Sequence, residues 1–133
     1  MIFVDTSFWV ALRLPRDAHH EQARRLAVEH QAETWVVSNQ VRGETWTFLR
    51  RRAGFASAVD FLDRTQRSPR VRVEFVAPAL ETEALRWLRS HPEREYSFVD
   101  ATSFVLARTL GITAALAFDG DFAAAGLIEL RAP

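Results

Sequence analysis

The sequence predicts an α/β fold of three layers, in which helices cover both faces of a central, mainly parallel sheet. Short apolar segments alternate along the chain with longer segments of helical periodicity, the pattern that βαβ units produce. The 133 residues are 48% hydrophobic and 26% charged, which is typical of one globular domain. Because no repeat, low-complexity stretch or linker divides the chain, we expect residues 1–133 to form a single domain.

Each predicted strand is a short apolar run bounded by turn-forming or capping residues. Arg72 and Glu74 alternate with apolar residues in one of these runs, so that strand is expected to have a wetter face. The last run, Leu127–Leu130, is expected to form a strand at an edge of the sheet. The predicted strands are Ile2–Val4, Thr34–Val37, Val71–Val76, Ile112–Phe118 and Leu127–Leu130.

The predicted helices begin at capping residues and carry one apolar face. Asp17 is a suitable N-cap, as is Ser38 or Asn39 before the next helix, and Pro78 fits a first helical turn. From Phe55 onward, apolar residues recur at i, i+3, i+4 and i+7, which is the period of an amphipathic helix. The predicted helices cover residues 8–12, 17–30, 39–52, 55–68, 78–91 and 97–111.

Composition excludes several kinds of chemistry. The chain has no cysteine, and all 17 basic residues are arginine, so thiol nucleophiles, zinc–thiolate sites, P-loop lysines and Schiff-base lysines are excluded. The formal net charge is zero, so bulk charge does not indicate a nucleic-acid partner. The sequence contains neither a signal-peptide pattern nor an apolar run of about 18–20 residues, so we expect a cytoplasmic protein without a membrane span.

Four acidic side chains are predicted to meet at one edge of the sheet. Asp5 and Asp119 each follow a predicted strand directly, and ligands of open α/β sheets bind beyond the carboxyl ends of the strands. Asp100 falls in the first turn of a helix, because its spacing from Ser97 is that of a capping box. Glu44 lies on the helix after the second strand, on the face predicted to turn inward.

These four acids together indicate a metal site. Clustered carboxylates raise one another's pKa unless a cation neutralises them, and no basic residue flanks Asp5, Asp100 or Asp119 in the sequence. Oxygen ligands suit Mg²⁺ or Mn²⁺, and such ions promote hydrolysis of phosphodiesters. Taken singly, each acid has a simpler role as a turn former, helix cap or exposed residue, so the prediction depends on their convergence.

The same residues resemble the motifs of PIN-domain ribonucleases, and the chain length is similar to that of VapC-type toxins from bacterial toxin–antitoxin pairs. Family members often carry threonine two residues before the fourth acid, where this chain has Ala117, so either Asp119 or Asp121 could face the ion. The usual spacing to Phe122 favours Asp119. The matching segments are Val4-Asp5-Thr6-Ser7, Glu44, Ser97-Phe98-Val99-Asp100-Ala101 and Phe118-Asp119-Gly120-Asp121-Phe122.

The resemblance implies a PIN-like α/β/α sandwich and an endoribonuclease, dependent on Mg²⁺ or Mn²⁺, that acts as a toxin. It implies an RNA substrate, a cognate antitoxin that covers the site, and a homodimer. Glu44 would be a metal ligand or a nearby base. The implied metal ligands are Asp5, Asp100 and Asp119, and the implied auxiliary groups are Thr6, Ser7 and Asp121.

Two other functions stay open at this point. One is a PIN nuclease that acts in RNA processing, or on structured DNA, outside a toxin pair. The other is a PIN-like binding module without catalytic activity, although none of the four acidic positions carries a neutral replacement.

The basic run Arg50–Arg52 is the candidate for RNA contact. Its arginines either bind phosphates or form a solvated helix face, because three consecutive helical positions point around more than half a turn. The four histidines have no regular spacing to the acidic motifs, so none of them is expected to take part in catalysis.

Overall fold

The computed structural model describes all 133 residues, and its five strands form one sheet. The strands are β1 Ile2–Val4, β2 Trp35–Ser38, β3 Val71–Glu74, β4 Ala114–Leu116 and β5 Ile128–Glu129. Their order is β3-β2-β1-β4-β5, and every neighbouring pair is parallel. The sheet is therefore parallel throughout, whereas the sequence predicted a mainly parallel one.

Seven helices connect the strands. They are α1 Thr6–Arg13, α2 His20–Glu29, α3 Asn39–Arg52, α4 Phe55–Arg67, α5 Pro78–Arg89, α6 Phe98–Thr109 and α7 Asp121–Ala124. The first six correspond to predicted helices, and the short α7 was not predicted. No helix has the length and apolar character that crossing a bilayer requires.

The strand order places the helices in two layers. From β1 to β3 the chain moves toward one edge of the sheet, and from β3 to β5 it returns across β1 to the other edge. Since βαβ crossovers are right-handed, α1–α4 cover one face and α5–α7 cover the other. Most helix contacts agree, because α1 packs on α2 and α3, while α6 packs on α5 and α7; α3 and α6 also contact each other although they belong to different layers. The direction reverses between β1 and β4, and a crevice is expected at that point.

The start of α2 differs from the prediction. The helix begins at His20, and no side chain caps it. Asp17 instead shapes the preceding turn, where its Oδ1 accepts a hydrogen bond from the His19 backbone N–H at 2.8 Å. Asp17 therefore acts three residues before the helix and fixes the backbone of His19.

Three predicted strands are shorter in the structure, which has β3 at Val71–Glu74, β4 at Ala114–Leu116 and β5 at Ile128–Glu129. For β3 and β4, hydrogen bonds draw an end of the predicted strand away from the sheet. The Val76 N–H donates to Asn39 Oδ1 at 2.8 Å, so β3 ends before this residue. The Ile112 N–H donates to the Ala107 carbonyl at 2.8 Å, which joins Ile112 to the end of α6 rather than to β4. Helix termini commonly satisfy their last carbonyls in this way.

An aromatic cluster fixes α6 against its neighbours. The Phe104 ring makes edge-to-face contacts with Trp87, Tyr96 and Phe122, with centroids 5.1, 5.6 and 4.9 Å away and ring planes inclined by 63°, 85° and 86°. Such pairs add about 0.5–1.5 kcal/mol each beyond the burial of their area. The packing holds α6, and the acidic residue in its first turn, in place over the sheet.

Candidate metal and active site

A pocket of about 560 Å³ opens beyond the ends of β1 and β4, at the point where the strand order reverses. All four predicted acids line it. Asp5 and Asp119 come from the strand ends, Asp100 from the first turn of α6, and Glu44 from the second turn of α3. The structure thus brings together groups that are up to 114 positions apart in the sequence.

Asp5 is buried and held in a defined orientation. It is the N-cap of α1, and its Oδ2 accepts hydrogen bonds from the Ser7 N–H at 3.1 Å and from the Ser7 hydroxyl at 2.7 Å. The same Ser7 hydroxyl oxygen accepts a bond from the Phe118 N–H at 3.0 Å. Ser7 therefore joins the turn after β1 to the segment after β4.

Asp100 is held by the capping box that its spacing predicted. The Asp100 N–H donates to the Ser97 hydroxyl at 2.9 Å, and Asp100 Oδ2 accepts from the Ser97 N–H at 2.9 Å. One carboxylate oxygen is thereby engaged, and the other is left for a ligand. The capping role and a metal-binding role are compatible, because they use different oxygens.

Asp119 and Asp121 lie in different surroundings. Asp121 Oδ1 accepts two hydrogen bonds from Arg94, at 3.0 Å from Nε and 2.8 Å from Nη2. Asp119 has no such partner, and only the Asp121 N–H donates to it, at 3.1 Å. Because Asp119 lines the pocket while Asp121 is paired with an arginine outside it, the geometry favours Asp119 as the fourth acid.

Glu44 is exposed rather than turned into the core as predicted. The buried residues of α3 are Val41, Thr45 and Leu49, so Glu44 lies beside the inner face, at the rim of the pocket. Its Oε1 accepts a hydrogen bond of 2.6 Å from the Thr6 hydroxyl, and the Thr45 hydroxyl donates to Thr6 at 3.3 Å. Thr6 therefore orients Glu44, while Oε2 is left for a ligand or a proton.

The electrostatics of the pocket call for a cation. Burial, followed by the negative charge of Asp119, raises the pKa of Asp5 from 3.8 to about 7. Burial also raises the pKa of Asp100 to about 6, with a smaller contribution from Asp119. Desolvation, then the charges of Asp121 and Glu129, raises the pKa of Asp119. No arginine forms an ion pair with Asp5, Asp100 or Asp119, and the attraction of Arg94 for Asp119 leaves the pKa values of all three raised.

The donor set fits a hard divalent ion. Asp100, Asp119 and Asp121 can each place one oxygen within 4.8 Å of the others, and Asp5 is close enough for its pKa to respond to Asp119 and Asp100. All of these ligands are carboxylate oxygens, the type that Mg²⁺ and Mn²⁺ prefer. An acidic cluster suited to a divalent cation is therefore present.

Removal of the Ser7 hydroxyl is expected to destabilise the folded protein. In Ser7→Ala, Asp5 loses one hydrogen bond and the Phe118 N–H loses its acceptor, which costs about 1–3 kcal/mol when the group cannot reach water. Urea denaturation at pH 6 measures the free energy of unfolding. Ser57→Ala on α4, whose hydroxyl makes no hydrogen bond in the chain, is the matched control, and equal stability of the two variants would contradict the prediction.

The structure also places three residues near the acids that were not predicted. His19 lines the pocket, although the spacing of the histidines to the acidic motifs did not indicate this position. Arg94 pairs with Asp121, and Glu129 accepts bonds from the Gly120 and Ala123 N–H groups at 3.3 and 2.9 Å. Glu129 is the last residue of β5, but it lies inside the predicted strand Leu127–Leu130, so the rule that identified Asp5 does not identify it.

The three arginines of the basic run Arg50–Arg52 lie in two different surroundings. Arg51 and Arg52 line a groove that shares Glu44 and Phe48 with the acidic pocket. Arg50 does not line this groove, and its guanidinium lies 5.7 Å from the centre of the Phe55 ring. Two of the three predicted RNA-contacting arginines are therefore placed beside the acids.

Comparison with known proteins identifies the family. The model of the PIN domain family matches residues 2–127. The chain belongs to the PIN-domain family. It is also 53% identical over 131 residues to the 23S rRNA-specific endonuclease VapC20 of Mycobacterium tuberculosis, in both strain CDC 1551 / Oshkosh and strain H37Rv, and 98% of each chain is covered.

Solved structures support the same assignment. The crystal structure of Mycobacterium tuberculosis VapC20, described as a sarcin–ricin-loop-cleaving toxin, matches with a TM-score of 0.94 and 52% identity, covering 99% of this PIN domain and 100% of that chain. FitAcB from Neisseria gonorrhoeae matches with a TM-score of 0.65 at 17% identity, covering 98% and 96%, a likeness of fold alone. The family model and the matches to VapC20 confirm the predicted PIN fold, the family and the class of function, an endoribonuclease of the toxin type.

Proposed function

We propose that this chain is a metal-dependent endoribonuclease that hydrolyses a phosphodiester bond in the sarcin–ricin loop of 23S rRNA and acts as a toxin in this way. The observation that carries the proposal is the convergence of Asp5, Glu44, Asp100 and Asp119 on one pocket. The RNA target is supported by relatives that are 53% identical over 98% of the chain and are called 23S rRNA-specific endonucleases.

The metal is proposed to be Mg²⁺ or Mn²⁺, bound by Asp5, Asp100 and Asp119. When bound, such an ion would supply activation of a water molecule and positive charge to offset the charge that develops on the phosphate oxygens. Asp5 and Asp100 would bind it through the oxygens left free by Ser7 and Ser97, respectively. Because these hydrogen bonds set the side-chain orientations beforehand, little reorganisation is needed when the ion binds.

Glu44 is proposed to act on the attacking water. The Thr6 hydroxyl occupies Oε1 at 2.6 Å, so Oε2 is the atom that accepts the proton. Its exposed position at the rim of the pocket lets it reach a water that approaches from solvent. The proton can then pass to bulk water, which is what a base in a hydrolytic site requires.

The RNA backbone is proposed to follow the groove of α3, where Arg51 and Arg52 extend the acidic pocket with positive charge. Arginine binds phosphate oxygens in a bidentate manner and remains charged at all relevant pH values. The Arg52 guanidinium lies 4.8 Å from the centre of the Phe48 ring, and this contact directs it along the groove. The two arginines would hold the phosphates adjacent to the scissile one.

Charge removal in the groove is expected to weaken RNA binding. Arg51→Ala with Arg52→Ala should lower affinity at 50 mM salt and reduce the slope of log K against log salt by up to about two, since each lost phosphate contact removes close to one unit. Fluorescence anisotropy with a labelled RNA hairpin measures both quantities. Arg50→Ala is the matched control, and an equal loss in that variant would contradict the role of the groove.

The partner predictions are proposals as well. A protein of this class is proposed to form a homodimer and to be held inactive by a cognate antitoxin in the cytoplasm. Light scattering on the purified chain determines its mass in solution. A gene beside this one whose product co-purifies with the chain and blocks its nuclease activity would be the antitoxin.

Cleavage of a synthetic hairpin that carries the sarcin–ricin loop tests the proposed function. The purified protein is incubated with the hairpin in Mg²⁺ or Mn²⁺, with an EDTA control and a second hairpin of equal length with a scrambled loop. We expect one cut in the first hairpin, only when metal is present. Equal cutting of both hairpins would contradict the target, and the absence of cutting by folded, metal-bound protein would contradict the enzymatic function.

A further inference from the structure

His19 forms a flat aromatic pair with Phe118 at the edge of the acidic pocket. The two ring centroids are 4.6 Å apart and the ring planes differ by 7°. Both residues line the pocket together with Asp5 and Asp119. His19 is exposed, neither of its ring nitrogens is hydrogen-bonded within the chain, and no second ring or guanidinium stacks on it.

Hydrogen bonds fix both members of this pair relative to the acids. The His19 N–H donates to Asp17 Oδ1 at 2.8 Å, and the His19 carbonyl accepts from the Ala23 N–H at 2.9 Å. The Phe118 N–H donates to Ser7, which also holds Asp5, and Phe118 directly precedes Asp119 in the chain. The outer face of the His19 ring therefore has a defined position beside the acidic residues.

We propose that the His19–Phe118 pair is a stacking platform for a nucleobase next to the scissile phosphate. RNA loops present unstacked bases, and proteins recognise these by stacking them on aromatic side chains, histidine included. A flat, exposed ring beside a phosphodiester-cleaving site has the shape and position for such a contact. The inference rests on the proposed function for its ligand, and it makes His19 a substrate-binding residue that influences which nucleotide is accepted.

The chain offers a control in a second pair of a histidine and an aromatic ring, which lies outside the acidic pocket. His91 stacks on Trp87 with centroids 3.9 Å apart and planes differing by 10°, and it does not line the acidic pocket. His91→Ala thus removes a histidine ring from a stacked pair outside the pocket, together with the hydrogen bond of 2.7 Å between His91 Nδ1 and the Trp87 carbonyl. His19→Phe keeps the stacking surface and removes both ring nitrogens.

The test combines these variants with the sarcin–ricin hairpin and with hairpins that each lack one loop base. In Mn²⁺, His19→Ala is expected to raise KM about tenfold, as loss of one stacked base would, and to leave kcat and Tm close to the parent values. His19→Phe should restore KM, and His91→Ala should match the parent. One abasic hairpin should bind the parent and His19→Ala equally well, which identifies the stacked base.

Two results would overturn the platform. A His19→Phe variant as impaired as His19→Ala would assign the effect to the ring nitrogens, and parent protein that binds intact and abasic hairpins equally in EDTA would exclude base stacking. Failure of the proposed function gives a different pattern. In that case the parent cuts no hairpin, yet anisotropy in EDTA still shows base-dependent binding that His19→Ala loses and His19→Phe retains.

Discussion

Asp100→Asn is expected to abolish RNA cleavage while leaving the protein folded. The asparagine retains an oxygen that accepts the Ser97 N–H bond, so the capping box of α6 persists. What it removes is one negative charge of the cluster that would hold the metal. The rate should fall by about 10²–10³-fold or more, as when a group that stabilises transition-state charge is lost.

Asp5→Asn is expected to give the same loss of cleavage with a gain in stability. Burial and Asp119 raise the pKa of Asp5 to about 7, so the folded protein disfavours the ionised carboxylate and the neutral amide removes that penalty at pH 8. Thermal unfolding in EDTA at pH 8 should therefore show a higher Tm for Asp5→Asn than for the parent. Loss of activity and gain of stability in one variant are expected of a site residue rather than of a purely structural one.

Cleavage of the hairpin in Mn²⁺, followed at equal protein concentration, measures the loss in both variants. Asp63→Asn on α4 is the matched control, because Asp63 is exposed and lies outside the acidic pocket. It should cut at the parental rate. Full activity in Asp100→Asn or Asp5→Asn would contradict the proposed mechanism, and circular dichroism would show whether any inactive variant had lost its fold.

Much of the site could be predicted because local rules fix where the acids fall. Asp5 follows β1 directly and Asp119 comes three residues after the end of β4. Parallel strands end at one edge of a sheet, so their convergence follows from topology. Asp100 was located by the capping-box spacing from Ser97, which depends on three consecutive peptide units and on nothing distant. These rules hold irrespective of how the helices pack.

The remainder depends on contacts between distant segments. His19 reaches the pocket only because the turn after α1 folds back over Phe118, which is 99 positions later in the sequence. Arg94 selects between Asp119 and Asp121 through a side-chain pairing from a loop of no regular structure. Glu44 was expected to be buried because periodicity defines a face only to within one position, and Thr45 takes the inward place. The positions of these side chains depend on packing between different helices, strands and loops, which the periodicity of the sequence does not predict.

Divalent metal is expected to bind far more tightly at pH 8 than at pH 5.5. The pKa of Asp100 is about 6 and that of Asp5 about 7, so both carboxyls carry protons at pH 5.5 that the cation must displace. Each displaced proton changes the apparent affinity about tenfold per pH unit, and the dependence should level off above pH 7. Titration calorimetry with Mn²⁺ at pH 5.5, 6.5, 7.5 and 8 measures the affinity and the protons released.

In the absence of metal, the unfolding temperature should also depend on pH, but it should fall as the pH rises. A carboxyl whose pKa rises on folding from 3.8 to about 7 binds its proton more tightly in the folded state. The stabilisation it gives is complete below pH 4 and is lost as the pH rises through 7. In EDTA, Asp5 therefore lowers Tm between pH 5 and pH 8, whereas saturating Mn²⁺ raises Tm most at pH 8. Asp5→Asn should make Tm in EDTA less dependent on pH and should lower the number of protons released on Mn²⁺ binding by about one. A metal affinity that did not change between pH 5.5 and pH 8 would contradict this account of the acidic cluster.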